Sequence, residues 1–256
     1  MKPTKQPFPI SIPPDAFRKF QKFHNDWAKQ LGQTFSVALR NLPRVKIPSP
    51  EEMDRAFARS ITILAENGWF ISARHTPITG LHRAAAGLNR GEIKRWNDAL
   101  CDHFTQILDV IETDVIAAFP NRETILRKAF KAHRNGDYEL SVPVMLSQAD
   151  GIGTEVFGVS IYSQHEENVK RLRKFLEMHV RQKSFSSYCY LVATLLPINA
   201  SREKRGRYTN PMNRHLVLHG ESTDYATRIN ACKTVSWLQY IAGLKDSIWL
   251  DGQLSM

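Results

Sequence analysis

The chain has 256 residues, of which 42% are hydrophobic and 23% charged, with a formal net charge of +10. That apolar content can build a core and argues against a chain disordered along its whole length. The basic excess favours a polyanionic partner such as nucleic acid or an anionic membrane, and three scattered cysteines, Cys101, Cys189 and Cys232, argue against a disulfide framework or a paired-cysteine zinc site.

The first residues, "MKPTKQPFPISIPP", predict an extended proline-rich arm. A short helix is expected from Asp15, a good N-cap, to about residue 31. Its Phe17, Phe20, Phe23 and Trp27 recur at helical spacing and mark a core-facing stripe. "LPRVKIPSP" reads as a linker, so residues 1–48 form an arm with a short helix and residues 49–256 a single helical domain. Ser49-Pro50-Glu51-Glu52 opens the next helix with a cap, a proline at its first position and acids at the positive dipole end. Asn67-Gly68 closes it.

"WFISARHTPITGL" reads as a loop with a short turn. One long helix is expected over residues 91–118, with Trp96, Leu100, Phe104, Ile107, Leu108 and Ile111 on one face and Pro120 as its stop. Asn121 is the expected cap of the following helix, which "RNGD" ends. A further helix covers roughly residues 138–158. "SQHEENVKRLRKFLEMHVRQ" is strongly amphipathic, with Ser163 and Glu166 spaced as a capping box. "SSYCYLVATLLP" reads as a buried helix ended by Pro197, and the last helix is expected over residues 223–244 with Asp224 as its cap. Helical periodicity dominates and period-2 alternation is almost absent, so the fold class is all-α. "GIGTEVFG" lacks the strand and the lysine of a nucleotide-binding loop. No apolar run approaches the ~18 residues that span a bilayer, and prolines stand where a secretory signal needs apolar residues. The expected location is cytoplasmic.

Chemistry concentrates in "NPMNRHLVLHGEST", residues 210–223. If residues 211–219 are helical, Pro211 lies in the first turn, His215 and His219 share a face, and Gly220 ends the helix. Arginine offers a fixed charge and a fork that matches phosphate oxygens, and histidine can take or give a proton near neutrality. Metal-free RNA cleavage needs these types: a base for the 2′-hydroxyl, an acid for the 5′ oxygen and positive charge at phosphorus. The preceding "SREKRGRYTNPMNR" adds Arg202, Lys204, Arg205 and Arg207 against Glu203 alone, a candidate RNA-binding loop. Gln148 and Asp150 are polar residues in an apolar stretch and candidates for lining the same cleft.

Arg214, His215 and His219 fit the arginine–polar–x3–histidine motif of the HEPN superfamily (higher eukaryotes and prokaryotes nucleotide-binding), which the chain resembles in this motif and in its all-helical class. The resemblance implies a multi-helix HEPN-like bundle over roughly residues 90–256. It also implies catalytic roles for Arg214, His219 and His215, no cofactor, RNA as substrate, a homodimer, and a toxin or phage-defence role with an antitoxin or activating partner protein. Beside the reading of Arg214, His215 and His219 as a structural hydrogen-bond cluster at a helix end, two functional rivals remain open. One is a non-catalytic module of the same type that binds RNA, a nucleotide or a partner. The other is a metal-dependent hydrolase using the i, i+4 pair His215 and His219, for which no third ligand is evident and no metal is expected.

Overall fold

The computed structural model describes residues 49–72, 75–163, 165–179, 188–194, 196–201, 203–204 and 212–253, with side chains as far as Lys245. The chain divides into two compact units, Met1–Pro48 and Ser49–Met256. The expected N-terminal arm and its aromatic helix lie outside the described residues.

All regular structure among the described residues is helical. The order is α1 (Pro50–Glu66), α2 (Ile78–Asn89), α3 (Ile93–Gln106), α4 (Leu108–Ala118), a 3-10 turn (Pro120–Arg122), α5 (Glu123–Asn135), α6 (Tyr138–Phe157) and α7 (Glu166–His179). Two further 3-10 turns follow, Leu191–Ala193 and Pro197–Asn199, and then α8 (Arg214–Leu218) and α9 (Arg228–Gln253). No helix is long and apolar enough to cross a membrane among these residues.

The centre of the unit is α9, which packs against α6, α3 and α4. Ala231, Val235, Trp237, Leu238, Tyr240 and Ile241 are all buried, and so are Lys233, Thr234 and Ser236 between them. A helix buried on every side carries no amphipathic stripe. Its polar atoms are satisfied locally: Thr234 Oγ1 donates to Asn230 O at 2.8 Å and Ser236 Oγ to Lys233 O at 2.7 Å. Around it, α1 packs on α2, α5 on α6, and α8 on α6.

Several local expectations are corrected. The stretch read as a loop with a short turn contains the start of α2, a full helix hidden by two glycines and by the lack of a side-chain cap at Pro77. Burial of Leu81, Ala84, Ala85 and Leu88 sustains it instead. The helix expected over 91–118 is two helices meeting at Ile107 (φ −100°, ψ 8°), and Leu100, Phe104, Leu108 and Ile111 stay buried across the bend. Asn121 does not cap α5; it lies inside a 3-10 turn, and Arg122 takes the cap position without a side-chain bond.

At α7, Ser163 Oγ accepts from His165 N–H and the Asn168 amide in place of the expected box. The apolar segment before Pro197 is buried but not one helix: Thr194 is extended, and Pro197 opens a turn. Buried Asn199 holds that turn, accepting from Leu196 N–H at 2.8 Å and donating to Thr194 O at 3.3 Å. The last helix starts at Arg228, where Thr227 Oγ1 takes the Asn230 N–H at 3.2 Å. Asp224, the expected cap, accepts from Ser222 Oγ instead.

Candidate active site

The helix that carries the motif is only five residues long, Arg214–Leu218, and its start is fixed by Asn213. With φ −124° and ψ 126°, Asn213 has the extended backbone of an N-cap. Its Oδ1 accepts from His215 N–H at 3.0 Å and Leu216 N–H at 3.4 Å. Its Nδ2 donates to Pro197 O at 2.7 Å and Ala200 O at 2.9 Å. A side chain that is 1% exposed thus fills all its bonding positions and ties the motif to the turn at Pro197. At the other end His219 is the C-cap, and Gly220 turns the chain at φ +69°, a left-handed conformation that favours glycine.

Arg214 points inward and is half-buried. Its Nη2 donates to Tyr162 O at 3.0 Å, and its guanidinium lies over the Tyr162 ring, 4.8 Å from the centroid. Its Nε is buried with no acceptor. Burial pulls the guanidinium pKa down, opposed by Tyr162 and Asp150. Tyr162 is itself fixed: its hydroxyl donates to Leu146 O at 3.2 Å and accepts from Trp237 Nε1 at 2.8 Å. The loop bearing Tyr162 comes close to α6 because position 153 is glycine, where a Cβ would collide with Ile161.

His219 lies at the surface, while His215 buries its Nε2. Their rings stack with centroids 5.7 Å apart and planes 17° from parallel; His215 is half-buried and His219 exposed. The motif therefore has a half-buried cation held by the Tyr162 loop and two stacked imidazoles, of which His219 is the exposed one.

Asp150 and Gln148 separate in space. Asp150 accepts from Ser160 Oγ at 2.7 Å, and Ser160 Oγ in turn accepts from Tyr162 N–H at 3.3 Å, which links Asp150 to the Arg214 platform. Gln148 turns instead to Arg122, accepting from Nη1 at 2.9 Å. Of the basic loop, Lys204 is described and exposed, while Arg202, Arg205 and Arg207 lie outside the described residues, as does Pro211. Among the described residues no group of three or more His, Cys, Asp or Glu is placed to hold a metal ion. All three cysteines are buried, and none of them forms a disulfide.

Three supporting residues escape sequence reasoning. Asn213 carried a readable signal, an asparagine just before a short apolar run. Tyr162, separated by 52 positions, carried none. Tyr225 follows from a proline: Pro143 cannot donate to Glu139 O within α6, and the Tyr225 hydroxyl donates to that carbonyl at 3.0 Å, pinning the loop after the motif. Comparison of the chain with protein-family models, with curated proteins and with solved structures finds no match.

Proposed function

We propose that this chain is a metal-independent endoribonuclease. The observation that carries the reading is an exposed His219 stacked on a half-buried His215, next in sequence to a half-buried arginine that forms no ion pair among the described residues. Such a cation attracts an anionic group to its open side, where a preorganised charge stabilises a phosphorane best. The 2′-hydroxyl of RNA attacks the adjacent phosphorus; the O2′–P bond forms and the P–O5′ bond breaks. A base takes the 2′ proton and an acid gives one to the departing 5′ oxygen. His219 performs one of these transfers, and His215 orients its ring. The HEPN resemblance supplies the remainder: a homodimer in which a second motif completes the proton transfers, and a toxin or phage-defence role restrained by an antitoxin or activating partner. The basic stretch around Lys204 adds salt-dependent attraction for RNA.

The test is incubation of the purified protein with single-stranded RNA in EDTA. The expected products carry 2′,3′-cyclic phosphate ends, and DNA of the same sequence stays intact because it lacks the attacking hydroxyl. Cleavage lost in EDTA and restored by zinc would replace this reading with a metal-dependent hydrolase. The internal contacts of Arg214 favour a second reading, an RNA-binding module in which Arg214 is purely architectural. RNA bound but never cut would select it.

A further inference from the structure

A cleft of about 440 Å³, within the ~300–1,000 Å³ usual for small-molecule sites, opens next to α8. It sits between α8 and the start of α9. Leu216 and Ile229 contribute its apolar surface, and Ser222, Asp224, Tyr225 and Asn230 its polar edge. Leu216 lies three residues before His219, the C-cap of the same short helix, and Arg214, His215 and His219 are not among the lining residues.

The bonding state of these groups defines what the cleft lacks. Ser222 spends its hydroxyl proton on Asp224 Oδ1 at 2.7 Å, and Asn230 spends its amide on Tyr225 O at 3.0 Å. Tyr225 turns its own hydroxyl away, to Glu139 O. Open acceptor capacity remains on the second oxygen of Asp224 and the carbonyl of Asn230, with the second amide N–H of Asn230 as a donor beside them. No lysine or arginine is among the described lining residues, and the Asp224 carboxylate repels a phosphate. A planar ligand presenting N–H donors finds partners there.

We infer that this cleft takes one nucleobase of the RNA, and that the base is guanine. Among the four bases only guanine presents two adjacent donors, N1–H and the N2 amino group, at the spacing of a carboxylate. Adenine and cytosine place an acceptor beside their single amino group, and uracil flanks its N3–H with carbonyls that the carboxylate repels. The Tyr225 ring gives a flat apolar wall against which a base can stack. The inference rests on the ribonuclease reading for its substrate class, but binding can be measured without cleavage.

The experiment titrates guanosine, adenosine, cytidine and uridine 3′-monophosphates, with inorganic phosphate as a fifth probe. It follows the Asn230 side-chain amide by NMR and obtains a Kd for each. The guanosine nucleotide is expected to shift the Asn230 resonance and to bind about ten- to hundredfold more tightly than the others, the range for one bidentate base contact. Asp224→Asn should abolish that preference at an unchanged melting temperature, because Asp224 is exposed. Inorganic phosphate should leave Asn230 unmoved. Equal affinity for all four nucleotides, or guanosine binding that leaves Asn230 unmoved, overturns the proposal. Selective binding by a protein that cuts no RNA upholds the cleft while refuting the ribonuclease reading. Cleavage of RNA with no guanosine effect at Asn230 does the opposite.

Discussion

The two sides of α8 face different environments. On the inner side, Asn213 and Arg214 make five hydrogen bonds to or from main-chain groups, and Arg214 also lies over a buried tyrosine. On the outer side, an exposed His219 stacks on a half-buried His215. One short motif thus holds residues fixed by the fold and one at the surface. Substitutions inside should cost stability first, whereas substitutions outside should cost activity alone.

The largest structural effect belongs to Asn213. Asn213→Ala removes the cap of α8, takes the Asn213 donor from Ala200 O and leaves Pro197 O only the 3.4 Å bond from Ala200 N–H. The expected loss is on the order of 3 kcal/mol, or about 10 °C in melting temperature for a domain of this size. A thermal melt checks it; a shift of a degree or two would mean that α8 does not depend on its inner side.

Histidines sharpen the same contrast. His133, 7% exposed on α5, has its pKa lowered to about 4 by burial, with Arg134 and Arg228 contributing. The unfolded chain then binds this proton more readily, so His133 favours the folded state above pH ~6.5 and that stability is lost as pH falls toward 4. Between pH 7 and 5 the loss should be about 2 kcal/mol in urea unfolding. His133→Phe should flatten the slope over that interval.

Arg214→Ala comes next. It leaves Tyr162 O without its donor and removes the contact with the ring, for an expected cost of about 1–2 kcal/mol. Arg214→Lys keeps the charge but loses the fork and should fall between. If Arg214→Ala melts with the wild type, the inner side is not structural. His219→Ala gives the smallest structural effect, within about 0.5 kcal/mol of wild type, as for most exposed positions.

How far the sequence revealed this arrangement depends on how local the cause is. The α1 start was readable because its signals are neighbours: Ser49 accepts from Glu52 N–H while the Glu52 side chain returns to Ser49 N–H. The end of α5 was readable for the same reason, with Gly136 at φ +82°. Where tertiary packing decides, local pattern misled: α2 has two glycines and no side-chain cap, and the buried turn at Thr194–Asn199 is held by one asparagine within an apolar run. At the candidate site, residue types and spacing marked Arg214, His215 and His219. Their division into inside and outside was not visible, because it is set by Tyr162 and by Pro197 O, which only the fold brings near. The same holds for Asp150 and Gln148, two residues apart on α6 yet turned to different arginine neighbourhoods.

The most direct test of the central proposal, that His219 transfers a proton in RNA cleavage, is the single-turnover rate in EDTA of His219→Ala against wild type, measured on samples of equal melting temperature. Loss of a general acid or base typically slows a reaction by about 10²–10⁴-fold. A drop of that size, with fold intact and RNA affinity retained, is the predicted result. A His219→Ala protein that cleaves at the wild-type rate would contradict the account.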